Sequence, residues 1–275
     1  MCRWVAYSGG PIYLEELIFK PQHSLIDQSL QAFQSPTTTN GDGFGVGWYG
    51  DRIFPGVFKD TRPAWNDANL RDVAAMVKSG LFLAHVRATT GSAIQRSNCH
   101  PFRHGKWLLM HNGLINDYKK IRRQLAFAVS DELFPFIEGT TDTELMMYLA
   151  LTFGLEENVE TAVARMVGFV EQTGRAAGVE YPMQMTLGIS DGERLYAFRY
   201  STLGESRTLF ISRSIAALEE IHPEVGKFPQ DAIAIVSEPL SDLSGVWEEI
   251  PESSLVVCGD GEREIRPFAP IDPAT

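Results

Sequence analysis

Apolar residues recur along this chain in two rhythms. Short, nearly continuous runs bounded by turn formers predict strands at Arg3 to Ser8, Leu81 to Val86, Trp107 to Met110, Met183 to Ser190, Arg194 to Tyr200, Thr208 to Ser212, Ala232 to Val236 and Leu255 to Cys258. Gly9, Gly10 and Pro11 read as the turn that ends the first, and Asp191-Gly192 is a hairpin signal between two others. Gly41 to Tyr49 reads as a turn entering a glycine-studded strand, with room for close backbone approach. Helical spacing appears at Ser24 to Ala32, stopped by Pro36, and at Leu70, Val73, Ala74 and Val77, capped by Asn66 or Asp67 and ending before Gly80. Further helices are expected over Tyr118 to Phe127, from Thr141 to Phe153 and over Glu157 to Gln172. Thr141-Asp142-Thr143-Glu144 has the capping-box pattern, which puts Asp142 in a first helical turn. Strands at both ends with helices between predict α+β layers, and residues 1–275 read as one domain without repeat or linker.

Composition adds limits. The formal charge of −11 disfavours nucleic acid and anionic membrane surfaces as partners, because both require a basic face. No apolar run is long enough to span a membrane, and the first residues lack the pattern of a signal peptide, so a cytoplasmic location is expected. The three cysteines, Cys2, Cys99 and Cys258, cannot all pair within the chain, which argues against a disulfide scaffold.

Cys2 brings in chemistry. Removal of Met1 would leave a thiol and a free α-amine on one residue, and an α-amine with a pKa of about 7.7–8.0 is able to take the thiol proton near neutral pH. Taken alone, a cysteine at position two is more readily accidental than catalytic. Three later segments change this weighting: Ala84-His85-Val86-Arg87-Ala88-Thr89-Thr90, Met110-His111-Asn112-Gly113-Leu114-Ile115 and Gly139-Thr140-Thr141-Asp142-Thr143-Glu144. Together with Cys2 they make the chain resemble the class II glutamine amidotransferases, whose members open with cysteine and carry His-x-Arg, His-Asn-Gly and Thr-Asp-Thr/Ser-Glu segments in this order. Met1-Cys2-Arg3, Asn40 to Val46, Asn98-Cys99-His100-Pro101-Phe102 and Ser237-Glu238-Pro239-Leu240 are similar to a narrower branch. That branch holds an amidotransferase-like subunit of a glutathione-degrading complex and an ergothioneine-pathway γ-glutamyl hydrolase.

The resemblance implies a four-layer αββα sandwich of two antiparallel sheets, the N-terminal nucleophile hydrolase fold, and hydrolysis of a γ-glutamyl amide through a Cys2 thioester. It implies catalytic roles for Cys2, Asn112 and Gly113, the last two as oxyanion donors. Arg87, Thr90 and Asp142 are implied to bind substrate, Arg87 at its α-carboxylate and Asp142 at its α-ammonium group. Ala88 stands where several family members carry an aromatic residue. No cofactor is expected. No metal is expected either, because His85, Cys99, His100, His104 and His111 lack paired ligand spacing; His85 and His100 are expected to hold loops by hydrogen bonds. Each site residue also has a bland reading: Arg87 as an ion-pair partner, Asn112-Gly113 as a turn, Asp142 as a helix-start charge. A small-molecule γ-glutamyl substrate is the expected partner, with a peptidase or synthase partner subunit left open. Two other readings remain beside it: a glutaminase subunit feeding ammonia to a separate synthase, and a non-catalytic scaffold.

Overall fold

Most of the strands bury both faces, and that single requirement sets the layers. The structure, a computed structural model, describes residues 2–31, 39–89, 91–213, 215–221 and 226–272. Its strands are β1 (Arg3–Tyr13), β2 (Phe44–Trp48), β3 (Gly56–Asp60), β4 (Lys78–Val86), β5 (Phe102–His104), β6 (Trp107–Ile115), β7 (Met183–Ser190), β8 (Leu195–Ser201), β9 (Phe210–Ser212), β10 (Ile233–Val236), β11 (Trp247–Glu249), β12 (Ser254–Gly259) and β13 (Glu262–Pro267). Its helices are α1 (Glu15–Ile18), α2 (Leu25–Leu30), α3 (Ala68–Met76), α4 (Tyr118–Phe127), α5 (Asp142–Thr152), α6 (Val159–Ala176) and α7 (Leu218–Ile221). The first sheet has the order β11-β9-β10-β1-β4-β2-β3 and the second β13-β12-β8-β7-β6-β5, with antiparallel pairing throughout.

Alternation along each strand divides its side chains between two cores. In β1, Val5 and Tyr7 join Leu17, Leu25 and Leu70 of α1 to α3 on the outer face of the first sheet. Trp4 and Ala6 point the other way and meet Leu108 and Met110 of β6 between the sheets. Leu109, Met185 and Leu187 form the outer core of the second sheet with Leu125, Met146 and Val167 of α4 to α6. The order is therefore helix, sheet, sheet, helix, as the resemblance implies. Helix α5 is apolar nearly all round and buried from Thr143 to Ala150, because it sits between the sheet and the other helices.

Several boundaries differ from the sequence reading. Gly9, Gly10 and Pro11 do not end β1; the strand passes through them with a register shift between Ser8 and Ile12 and continues pairing with β4. Strand β6 runs to Ile115, so Asn112-Gly113 is strand rather than turn. Helix α3 stops at Met76, and Gly80 lies within β4. Helix α2 starts at Ser24 through a complete capping box with Asp27, whereas Ala32 and Pro36 lie outside the described residues. Truncating Leu187, fully buried on β7, is expected to destabilise the fold by about 2–5 kcal/mol in Leu187→Ala. Urea unfolding measures this, and a change under about 1 kcal/mol would contradict the assigned outer core.

Candidate active site

Cys2 directly precedes β1, the strand hydrogen-bonded between β4 and β10. Its half-buried Sγ lies 3.5 Å from the Ala88 carbonyl oxygen, and its own carbonyl accepts a hydrogen bond from Arg3 Nη1 at 2.8 Å. Burial pushes the thiol pKa up, and the cations of Arg87 and Arg3 oppose that rise. Arg3 Nε reaches the Glu238 carboxylate at 2.7 Å, and both side chains are buried. The peptide beside the thiol is thus tied to an ion pair that has few alternative geometries.

Two bridges connect this strand end to β6 across the interior. Trp4 Nε1 donates to Thr186 Oγ1 at 3.2 Å, and Thr186 in turn donates to the Asn112 carbonyl at 3.3 Å. His85, paired with Trp4 in the sheet, approaches the His111 carbonyl through Nε2 at 3.2 Å. Since a carbonyl only accepts, this nitrogen carries the proton. The His111 amide donates to His100 Nδ1 at 3.3 Å. His111 Nε2 faces the Gln184 carbonyl at 3.3 Å and so carries its proton, which leaves Nδ1 to accept from Thr143 Oγ1 at 3.0 Å. Burial holds all three imidazoles neutral: His85 is pushed down to about 3, His100 falls well below its ordinary value, and His111 falls despite the nearby Asp142 carboxylate.

These contacts fix the backbone on either side of Asn112 while its side-chain amide, on a residue only 3% exposed, donates no hydrogen bond to a described residue. Gly113 has φ +154, and a Cβ placed there would lie 2.0 Å from the Gln184 carbonyl oxygen and 2.6 Å from His111 Nε2. Only glycine fits this crossing of β6 and β7.

Arg87 follows β4 and is 3% exposed. Its guanidinium donates to Ser92 Oγ at 2.6 Å and to the carbonyls of Asp42 and Ala93 at 3.3 Å, all neutral oxygens. No carboxylate of a described residue forms an ion pair with it, so the ion-pair reading of Arg87 fails. Thr90 lies outside the described residues. The loop after Arg87 supplies Gly91, Ser92 and Ala93 to a cavity of about 380 Å³ whose opposite wall includes Ile115, Tyr118 and Asp142. Asp142 is half-buried; one carboxylate oxygen accepts from Ile115 N at 2.9 Å and the other from Thr143 N at 2.8 Å. Thr141 does cap α5 through Glu144 N, but Glu144 does not return the bond. Its carboxylate instead accepts from the amides of Glu138 and Gly139, at 2.9 and 2.7 Å.

The structure therefore joins the four sequence segments in one buried network. Sequence reasoning gave no role to three members: Trp4, Thr186, and Asn98, which was noted only within a segment shared with the narrower branch and whose amide holds Ala93 and Thr140 together at 2.8 to 3.1 Å. Thr186 carried a weak signal at most, since it alternates with Met185 and Leu187 on the same side of β7 as the polar Gln184 and Ser190. His85 links two strands rather than holding a loop, whereas His100, in the loop before β5, ties that loop to β6 as expected. Among the described residues, no group of three or more His, Cys, Asp or Glu is arranged to bind a metal ion, and no helix is long and apolar enough to cross a membrane.

Comparison with known proteins decides the family. The model of the class-II glutamine amidotransferases matches residues 22–271. The chain belongs to the class-II glutamine amidotransferases. This amidotransferase is 32% identical to the probable glutamine amidotransferase DUG3 of Saccharomyces cerevisiae over 93% of its own length and 81% of that protein. It is 29% identical to the gamma-glutamyl-hercynylcysteine sulfoxide hydrolase of Mycolicibacterium smegmatis, covering 98% of this chain and all of the other. A solved glutamine aminotransferase class-II domain protein from Silicibacter pomeroyi superposes with TM-score 0.76 at 34% identity, covering 98% of this chain and 100% of that one. The Bacillus subtilis glutamine phosphoribosylpyrophosphate amidotransferase shares the fold at 16% identity, with TM-score 0.67.

Two outcomes are expected for this amidotransferase. Gly113→Ala should displace β6 from β7 and lower both activity and urea resistance, by at least about 1–3 kcal/mol for an overpacked buried site; unchanged stability would mean that the crossing is looser than described. The buried histidines bind fewer protons folded than unfolded, so their contribution to stability is complete above about pH 6.5. For His85 it is lost progressively as pH falls from there toward about 3. Urea midpoints at pH 7 and pH 5 should therefore differ, and His85→Gln should reduce that difference.

Proposed function

We propose that this single domain, spanning residues 1–275, hydrolyses a γ-glutamyl amide bond with Cys2 as nucleophile after removal of Met1. The observation that carries the reading is the convergence of four separate segments on one buried network beside Cys2, in which the Asn112 side-chain amide has no hydrogen-bond partner among the described residues. In this scheme the α-amine of Cys2 takes the thiol proton and the sulfur attacks the γ-carbonyl. The Asn112 amide and the Gly113 N–H receive the oxyanion, where each preorganised donor contributes about 2.7–4 kcal/mol. The protonated α-amine returns its proton to the departing amine, a thioester remains on Cys2, and water then releases glutamate.

Substrate binding fits the charges. Arg87 is a buried cation surrounded by neutral oxygens, and a ligand carboxylate would supply the counter-charge that the protein withholds. Asp142 at the cavity wall would take the α-ammonium group, and Thr90 is proposed as a further substrate-binding residue. The relative named as a gamma-glutamyl-hercynylcysteine sulfoxide hydrolase supports a γ-glutamyl compound rather than free glutamine alone. The proposed location is cytoplasmic.

Incubating protein that begins at Cys2, as established by intact mass, with a panel of γ-glutamyl amides should release glutamate. Cys2→Ala should reduce turnover to background, and Asn112→Ala should lower kcat by about 10²–10³ with little change in KM. Asp142→Asn should act chiefly through KM. Full activity in protein that retains Met1 would refute the mechanism.

A further inference from the structure

Five arginines of the described chain are buried or half-buried: Arg3, Arg87, Arg199, Arg207 and Arg266. Arg3, Arg199 and Arg266 each meet a carboxylate, from Glu238, Glu249 and Glu160 respectively. Arg87 and Arg207 do not. The guanidinium of Arg207 goes further than that of Arg87: among the described residues it has neither an ion-pair partner nor a hydrogen-bond acceptor. Its charged form is disfavoured by burial and by the nearby Arg3 cation. Of the 35 acidic residues, Glu252 beside this segment gives its carboxylate to Ser206 and Glu238 gives its own to Arg3, and none of the described ones forms an ion pair with Arg207.

The segment carrying Arg207 lies at the edge of the catalytic network. Gln184 Nε2 donates to the Glu205 carbonyl at 3.0 Å, and Gln184 is paired with Leu114, next to Gly113. Two residues after Arg207's neighbour Ser206, Thr208 Oγ1 donates to the Ser237 carbonyl at 3.0 Å, and Ser237 exchanges two hydrogen bonds with Trp4. The segment 205–208 thus spans from the oxyanion strand to the start of β1. It meets β1 on the β10 side, because Ser237 continues β10, whereas Arg87 continues β4 on the other side. Arg87 thus lies beyond one neighbour of β1 and the segment of Arg207 beyond the other, and neither cation has a carboxylate partner among the described residues.

We infer that Arg207 binds an anionic group on the departing half of the substrate, so that the preferred substrates are γ-glutamyl compounds whose leaving amine carries a carboxylate. This rests on the γ-glutamyl hydrolase reading and deepens it. Arg87 serves the glutamyl end, which lies toward the cavity beside Asp142; a second anion would therefore face Arg207, across the scissile bond. Free glutamine, whose leaving group is ammonia, has nothing to offer this cation.

The test compares γ-glutamylglycine with γ-glutamylglycinamide, which differ only in whether the leaving amine ends in a carboxylate. The wild-type ratio of kcat/KM should favour the acid, and Arg207→Gln should reduce that ratio about tenfold to a hundredfold, as expected when a charge-assisted hydrogen bond is lost. Arg207→Lys should restore part of it. Because the ratio is measured within each variant, a fall in the amount of folded protein cancels. An unchanged ratio in Arg207→Gln, including equal loss of both substrates, overturns the inference while leaving the hydrolase reading intact. Failure of wild-type protein to cleave either compound overturns the hydrolase reading and this inference with it.

Discussion

The two carbonyl groups of His111 and Asn112 hold the catalytic end of the molecule together. Each accepts a hydrogen bond that originates in the other sheet, from His85 directly and from Trp4 by way of Thr186. Stacked sheets joined only by apolar side chains can slide by fractions of an ångström at little cost, because dispersion contacts have no direction. Hydrogen bonds between buried groups do have direction, and breaking one leaves a desolvated polar atom at a cost of about 1–3 kcal/mol. The placement of β1 against β6 is therefore set most sharply beside Cys2, at the level of Trp4, His111 and Asn112.

The same constraint explains the neutral histidines. A protonated imidazole at His85 or His100 would sit beside the Arg87 cation in a region with little solvent, so burial and the charge of Arg87 both disfavour it. Neutrality also preserves function for each ring: His100 can accept from the His111 amide only while Nδ1 lacks a proton, and the same holds for His111 and Thr143. Three members of the cluster that invited a metal reading, His85, His100 and His111, each use a ring nitrogen in a hydrogen bond within this network.

The legibility of the sequence follows burial. Strands covered on both faces are continuous apolar runs, and β4, β6, β7, β8, β10 and β12 stood out for that reason. The four strands that escaped notice, β3, β5, β11 and β13, are the four sheet edges. There one flank is unpaired and the faces are half open, so sequences such as Trp247-Glu248-Glu249 and Glu262 to Pro267 carry no apolar signature. At the site, the residue types needed for chemistry were visible as motifs, whereas Thr186 and Asn98 act through partners far along the chain, Thr186 with Asn112 and Trp4 at 74 and 182 residues' separation and Asn98 with Thr140 at 42. No local pattern reports such distances.

Arg87 and Arg207 present a different kind of problem, since neither is required by the fold in the way that Arg3 is. Arg3 meets Glu238 and fixes the backbone at Cys2, so its burial is compensated within the chain. A half-buried or buried guanidinium without a carboxylate lowers stability, and apolar replacement of such groups is often neutral or favourable to folding. Pairing either one internally would have been simple in so acidic a chain, yet an internal carboxylate would also compete with any anion arriving from solution. The uncompensated charge makes sense as preorganisation: the free protein bears the cost, and a bound anion recovers it. With one such cation beyond β4 and another beyond β10, the proposed substrate would offer one carboxylate to each, the α-carboxylate of its glutamyl end to Arg87 and a carboxylate on the departing amine to Arg207.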